Sequence, residues 1–282
     1  MKLFAAISEA EVVKKLYEKT GVKLNYLISY YYLEGQAYKL VKEYRSMIQD
    51  LYLDSGAYSV ETGRSKISIT EYAKYLKLYG KHFDQYFNLD DKFNDPEHNE
   101  NNQYYIHSYL PSTAKKPIPV VHDDKNPFAD FRGYADMGHD FIAIGSKTKL
   151  SDATINRIKQ EYPSVRIHIF GQLDIDWFKK HKPYSADAAT WVHTALFGDI
   201  LYWDPNENVG HTIYMGATDR KDTDSVHFKK FAQKERVEVF LKDTFDYKYN
   251  DLLPKSSSKA RELVNLYFYK QVEDYLTSLE TP

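Results

Sequence analysis

Short apolar runs rich in β-formers alternate along this chain with segments whose apolar positions recur every three or four residues. The runs are KLFAAIS (2–8), KLNYLISYYYL (23–33), LYLDS (51–55), FDQYFNLD (83–90), IPVVH (118–122), FIAIGS (141–146), RIHIFGQ (166–172) and YSADA (184–188). Helical spacing marks AYKLVKEYRSMI (37–48), TEYAKYLKLYG (70–80) and TINRIKQEY (154–162). Ser8 with Glu11, and Ser68 with Glu71, have capping-box spacing, while Gly21, Gly80 and Gly138 sit where helices end. Alternating strands and helices imply parallel pairing through right-handed crossovers, and eight such units predict an α/β fold, a closed (β/α)8 TIM-like barrel. An open doubly wound sheet is the competing arrangement. Residues 1–198 are read as the barrel. Residues 199–282 are read as a hairpin (199–219) with helices near 224–243 and 258–279, packed on the barrel as one domain.

A barrel builds its site at the C-terminal ends of its strands. Those ends carry Asp54, Asp90 with Asp91, His122 with Asp123 and Asp124, Ser146, Gln172 with Asp174, and Asp187. Asp123 and Asp174 are read as helix caps. Asp54, Asp90 and Asp187 end apolar or small-residue runs and are expected to face the barrel mouth. In LDSGAYS, Asp54 is followed by Ser55, Gly56 and Ala57, a turn small enough to admit a ligand or merely to cap itself.

Composition limits the chemistry. The 282 residues contain no cysteine, which excludes disulfides and thiolate zinc sites. The net charge is −2, and residues 221–282 hold 11 basic and 11 acidic side chains, so no basic stripe marks a nucleic-acid surface. The Lys179–Lys180–Lys182 and Lys229–Lys230 clusters are read as solvated faces. No segment has the length or apolarity of a membrane span or signal peptide, and a cytoplasmic location with no membrane partner is expected.

The strand-end motifs carry a resemblance. LDSGAYS resembles the Asp-Ser-Gly-Gly segment of the tRNA-guanine transglycosylase (queuine tRNA-ribosyltransferase) superfamily, whose fold is a (β/α)8 barrel. FNLDD is similar to that family's apolar run ending in acids, and FIAIGS stands at the place of its glycine-rich sixth strand. IHIFGQLDIDWFKKHKPYSADAATW resembles its seventh strand, a helix, and an eighth strand ending in the nucleophile. SADAATW is closer to distant phage and bacterial relatives that insert 7-deazaguanines into DNA. The resemblance spans roughly residues 50–195.

It implies that Asp187 attacks C1′ to form a glycosyl-enzyme intermediate while Asp54 acts as general acid and base. Asp90 then binds the purine edge, with Ser55, Gly56, His122, Gly145 and Gln172 around it, and no metal or cofactor is required. Implied partners are nucleic acid, DNA before tRNA, and a purine or 7-deazapurine base; a homodimer is left open. Tyr58, Phe93 and Trp191 are stacking candidates for a flipped base, with core packing as the plainer role. The family's zinc unit of three cysteines and a histidine is missing, Ala57 replaces the second glycine, and the sixth-strand motif shrinks to IGS. Free nucleosides or nucleotides therefore stand as alternative substrates. A metal-dependent hydrolase using His107, His122, His139, His168 and His193, and a barrel that binds without reacting, are the readings from other classes.

Overall fold

The structure is a computed structural model that describes residues 1–32, 38–63, 66–220, 225–255 and 257–280. In chain order its first half runs β1 (Lys2–Ile7), α1 (Glu11–Thr20), β2 (Leu24–Ser29), β3 (Ile48–Asp54), α2 (Ala57–Glu61), α3 (Ile69–Tyr79), β4 (Gln85–Tyr86) and α4 (Pro96–Tyr109). Then come β5 (Val120–Val121), α5 (Pro127–Asp136), β6 (Phe141–Ile144), α6 (Asp152–Glu161), β7 (Arg166–Ile169), α7 (Ile175–His181), β8 (Ser185–Ala188) and α8 (Thr190–Leu196). The chain ends with β9 (Asp199–Asp204), β10 (Val209–Tyr214), β11 (Val226–His227), α9 (Lys234–Phe245) and α10 (Lys259–Ser278).

Eight strands pair in the order β4-β3-β2-β1-β8-β7-β6-β5, each pair parallel. The two outer strands meet through a parallel bridge between Phe87 and Ile118, where Ile118 N–H donates to Tyr86 O and Asn88 N–H donates to Ile118 O. The sheet therefore curls back on itself as a (β/α)8 TIM-like barrel, and an open doubly wound sheet is excluded.

Side chains alternate across each strand, so one set fills the barrel and the other meets the helices. Phe4, Leu27, Tyr52, Phe87, Ile118, Val120, Phe141 and Ala143 form the buried interior cluster. Their neighbours Leu3, Ala5, Leu51, Leu53, Ile142 and Ile144 belong to the larger core under the helices. This alternation is what aims the site. Two residues beyond Leu27, Tyr52, Val120 and Ala143 stand Ser29, Asp54, His122 and Gly145, which thus end their strands on the interior face. Asp187 pairs in register with Phe4 and shares its face.

After β8 the chain leaves the barrel. β9 and β10 form the predicted antiparallel hairpin, and β11 adds to β10 in parallel. α10 then returns to pack on β1, α1, α8 and β9. It does so through buried polar residues at four-residue spacing. Arg261 donates to Ala195, Leu252 and Leu253 carbonyls; Asn265 accepts from Leu201 N–H; Tyr269 donates to Ala188 O; Glu273 accepts from Leu3 N–H at 2.7 Å. These contacts answer backbone groups that the departing chain leaves buried.

Several local expectations change. The predicted helix at 37–48 is a π-turn (Lys39–Glu43) and a 3-10 turn (Arg45–Met47), with residue 37 outside the described residues. Residue 33 of the second predicted strand also lies outside them, and Tyr30–Tyr32 is already a 3-10 turn. The predicted helix at 224–243 begins as β11 and a 3-10 turn, because Val226 and His227 pair with β10 before α9 starts. Ser8 does not cap α1, whose N-cap position is Ala10. Gly80 stays right-handed and continues α3 into a 3-10 turn, whereas Gly21 adopts φ +70° at the end of α1. Asp174 does cap α7, accepting from Trp177 N–H at 2.9 Å. Asp123 holds the turn before α5, and the cap of that helix is Asn126.

Candidate active site

At the mouth of the barrel a cavity of about 150 Å³ is lined by Asp54, Asp90, Asp187 and His122, with Gly145, Ser146 and Gly171 completing its walls. Phe170 and Val120 form apolar surface, and Tyr58 and Phe93 stand at the rim. Acids 133 residues apart in sequence, at the ends of β3 and β8, thus share one pocket with the acid that follows β4.

Asp54 lines the cavity and is half-buried. Its Oδ2 accepts from Gly56 N–H at 3.2 Å. Gly56 has φ +87°, and a Cβ there would meet Ile67, Ser29 Oγ and Tyr31 within 3.1 Å, so only glycine makes this turn without strain. Desolvation raises the Asp54 carboxyl to about 7, with the charges of Asp90 and Asp187 adding to it; hydrogen bonds from Ser29 and Gly56 oppose the rise. A carboxyl raised this far suits a group that must give a proton and take one back near neutral pH.

Asp187 is 5% exposed. Its Oδ1 accepts from Gly171 N–H at 3.2 Å and from His168 Nε2 at 3.2 Å. His168, fully buried on β7, contacts Ser185 Oγ through its other nitrogen at 2.9 Å. Its ring is enclosed by Phe4, Tyr52, Phe87 and Phe170. Oδ2 of Asp187 has no hydrogen-bond partner among the described residues, so one oxygen is fixed and the other is left for a ligand.

Asp90 is 4% exposed and is paired with His122 Nε2; its Oδ1 lies 3.5 Å from Ser55 Oγ. The His122 ring is stacked on Phe93 with centroids 3.8 Å apart and planes 9° apart. The ring also lies close to Gly145, where a Cβ would lie 2.6 Å from Nδ1 and 2.8 Å from Cε1. The backbone of His122 is held from α5, since its N–H donates to Asp130 Oδ2 at 3.1 Å.

The structure thus brings Asp54, Asp90, His122, Gly145 and Asp187 together around the cavity, with Ser55 and Gly56 directly behind it. Gln172 enters only through its backbone, donating N–H to Asp187 O at 2.8 Å, and its side chain is not part of the lining. Trp191 is not a stacking surface, because its indole N–H donates to Ala6 O inside the packed core. Tyr58 and Phe93 do stand at the rim. Reading the sequence alone misses Gly171, Phe170 and the positioning contact of His168. Gly171 has φ +68°, and a glycine directly after a strand that faces an acid one strand away is the signal that marks it.

The five histidines considered as metal ligands do not converge. His122 and His168 serve different carboxylates, His107 and His139 line a wider groove on the outside between α4 and α5, and His193 is exposed on α8. Among the described residues the group with metal-like ligand spacing is Asp204, Glu207 and His211, remote from the mouth. Arg236 already pairs with Asp204 at 2.9 Å and reaches Glu207 at 3.8 Å, so a cation is in place there. No helix among the described residues is long and apolar enough to cross a membrane.

No family model matches this chain, and no curated protein is found similar to it. Among solved structures, one described as a fructose-1,6-biphosphate aldolase from Coccidioides immitis matches over 100% of this chain and 93% of its own, with a TM-score of 0.55 and 10% identity. The YdjI aldolase from Escherichia coli K12 matches over 96% of this chain and 90% of its own, with a TM-score of 0.45 and 10% identity. KGPDC from Streptococcus mutans matches over 67% of this chain and 88% of its own, with a TM-score of 0.40 and 13% identity. The first of these shares the barrel fold, and at such identity the likeness goes no further than the fold. None of the three is a guanine transglycosylase.

Proposed function

We propose that this barrel is a glycosyl-transfer enzyme that exchanges the base of a purine nucleoside unit, guanine for a 7-deazaguanine-type base, through a covalent intermediate on Asp187. The observation that carries this reading is the pairing of two unlike carboxyls in one cavity. Desolvation pushes the Asp54 carboxyl up to about 7, while Asp187 is held by N–H groups on one oxygen and open on the other.

In the first half-reaction Asp187 Oδ2 forms a bond to C1′. The bond from C1′ to the base nitrogen breaks, its electron pair leaves with the base, and Asp54 delivers its proton to that base. In the second half the incoming base gives its N–H proton to the Asp54 carboxylate and attacks C1′, releasing Asp187. A carboxylate suits both the developing oxocarbenium charge and bond formation to it. Asp90 can accept two hydrogen bonds from the amide and amino edge of guanine. Phe93 and Tyr58 offer ring faces at the rim, as a base turned out of a strand requires.

The shared barrel of the aldolase neighbour favours no particular chemistry. An amine-based aldol reaction needs a lysine in the pocket, and the residues lining this cavity are carboxylates, a histidine and small or aromatic side chains. The test is to incubate the protein with a labelled 7-deazaguanine base and, separately, guanosine, tRNA and single- and double-stranded DNA, then digest to nucleosides and measure exchanged base by mass spectrometry. Exchange with the wild type and none with Asp187→Ala supports the reading; no exchange or base release on any substrate by the folded protein overturns it.

A further inference from the structure

Lys147 lies in the turn after β6, and that turn is pinned on both sides. Thr148 N–H donates to Gly145 O at 2.9 Å, and Thr148 Oγ1 donates to Val121 O at 3.2 Å. The ammonium group is exposed and sits over two ring faces, 5.2 Å from the Tyr58 centroid and 5.6 Å from that of Phe93. Both rings line the rim of the cavity, and Phe93 is itself fixed by stacking on His122. Among the described residues no carboxylate pairs with Lys147, whereas Lys39, Lys179, Lys180 and Lys230 on other faces each find one.

We infer that Lys147 is a phosphate-binding residue, and that the substrate unit is a nucleotide whose phosphate is held at the lip while its base enters the cavity. This rests on the purine reading of the cavity given above. Two aromatic faces hold a cation in place without neutralising it, so the full charge stays available to an anion arriving from solvent. Inside the cavity the acidic groups of Asp90 and Asp187, with Asp54 beside them, disfavour a phosphate, which confines it to the rim. A sugar bonded to a base in the cavity must leave past Tyr58 and Phe93, and its phosphate then meets the Lys147 ammonium that those rings carry. The inference accounts for binding of a nucleotide by a chain with no basic stripe: a single placed charge replaces a diffuse one.

The experiment compares binding of guanosine, guanosine 5′- and 3′-monophosphate, and a single-stranded DNA oligonucleotide with a central guanine, across a salt series. Wild type, Lys147→Ala and Lys147→Arg are each measured. Wild type is expected to prefer phosphate-bearing probes over guanosine. In Lys147→Ala that preference falls toward one, and the slope of log affinity on log salt for the oligonucleotide becomes shallower by about 0.7, the loss of one phosphate contact on a single strand. Lys147→Arg retains the preference. If only the oligonucleotide responds, the bound group is a chain phosphodiester; if a monophosphate responds too, a terminal phosphate suffices, and both results support the assignment. An undiminished preference in Lys147→Ala, or no preference in wild type, overturns the phosphate site while leaving the purine pocket standing. Failure of every probe to bind wild type overturns the purine reading and this inference together.

Discussion

Nε2 of His168 lies 3.2 Å from Oδ1 of Asp187, across the seam between β7 and β8. A carboxylate can only accept, so Nε2 carries the proton, and Ser185 Oγ answers the other ring nitrogen from below. The ring is boxed by aromatic side chains and cannot swing away, which makes this contact a fixed orienter of the proposed nucleophile.

Replacing His168 by Phe keeps a ring in the interior and removes the N–H. A hydrogen bond to a charged group is worth about 1.5–3 kcal/mol, so kcat for base exchange is expected to fall roughly 10- to 150-fold. KM is expected to change little, because the contact aims Asp187 and does not touch substrate. Steady-state kinetics on the folded variant separate the two; a rise in KM at constant kcat contradicts the positioning role.

Asp54 links activity and stability to pH. Its carboxyl is raised in the folded state, from an ordinary value of 3.8 to about 7. The folded chain therefore holds this proton more tightly than the unfolded one. The contribution to stability is full below about pH 4 and is lost as pH rises toward 7. At 1.36 kcal/mol per unit the shift sets a ceiling of about 4 kcal/mol. Asp54→Asn is expected to melt at a higher temperature than wild type at pH 8 and to lose that advantage at pH 4, while base exchange is abolished. Thermal melts at both pH values check the sign.

Much of this site was legible from strand ends alone. Asp54 and Asp187 close apolar or small-residue runs, and period-two alternation from Tyr52 and from the Phe4 register carries them to the interior face. The rest was hidden for identifiable reasons. α4 buries Asn99, Asn102, Gln103 and Ile106, so the face it presents to the barrel is polar and leaves no apolar period to read. α10 hides its role in the same way, with Arg261, Asn265 and Glu273 buried against backbone groups that only the folded chain leaves unpaired. His168 looked like a metal candidate because its partner Asp187 is 19 residues away, and only the pairing of β7 with β8 joins them.

Gly145 tests the close approach of His122. Adding a methyl group places it 2.6 Å from the imidazole and 3.1 Å from Val121 O, and the ring is held in its stack with Phe93. Gly145→Ala is expected to cost roughly 1–3 kcal/mol of stability, the usual cost of overpacking, and to weaken binding of the base by displacing His122 from Asp90. Denaturant unfolding and titration with guanine measure both effects.

Glu273 ties the last helix to the first strand. Its Oε2 accepts from Leu3 N–H and from the Asn25 side-chain amide. Glu273→Ala leaves the buried Leu3 N–H unpaired and leaves the Asn25 amide with only the Leu3 carbonyl as acceptor, a cost of roughly 1–3 kcal/mol and an expected fall of roughly 2–12 °C in melting temperature. Glu273→Gln keeps an acceptor oxygen and is expected to lose less. Equal melting temperatures for all three proteins contradict the role assigned to α10.

The central claim is that Asp187 becomes covalently bonded to C1′. It is tested most directly by mixing the protein with the guanine-containing substrate that supports exchange, quenching in acid within one turnover, and mapping the added mass by peptide mass spectrometry. The account predicts a glycosyl adduct on the peptide bearing Asp187, present in wild type and absent in Asp187→Ala. Base exchange that proceeds with no adduct on Asp187, or that survives Asp187→Ala, contradicts it.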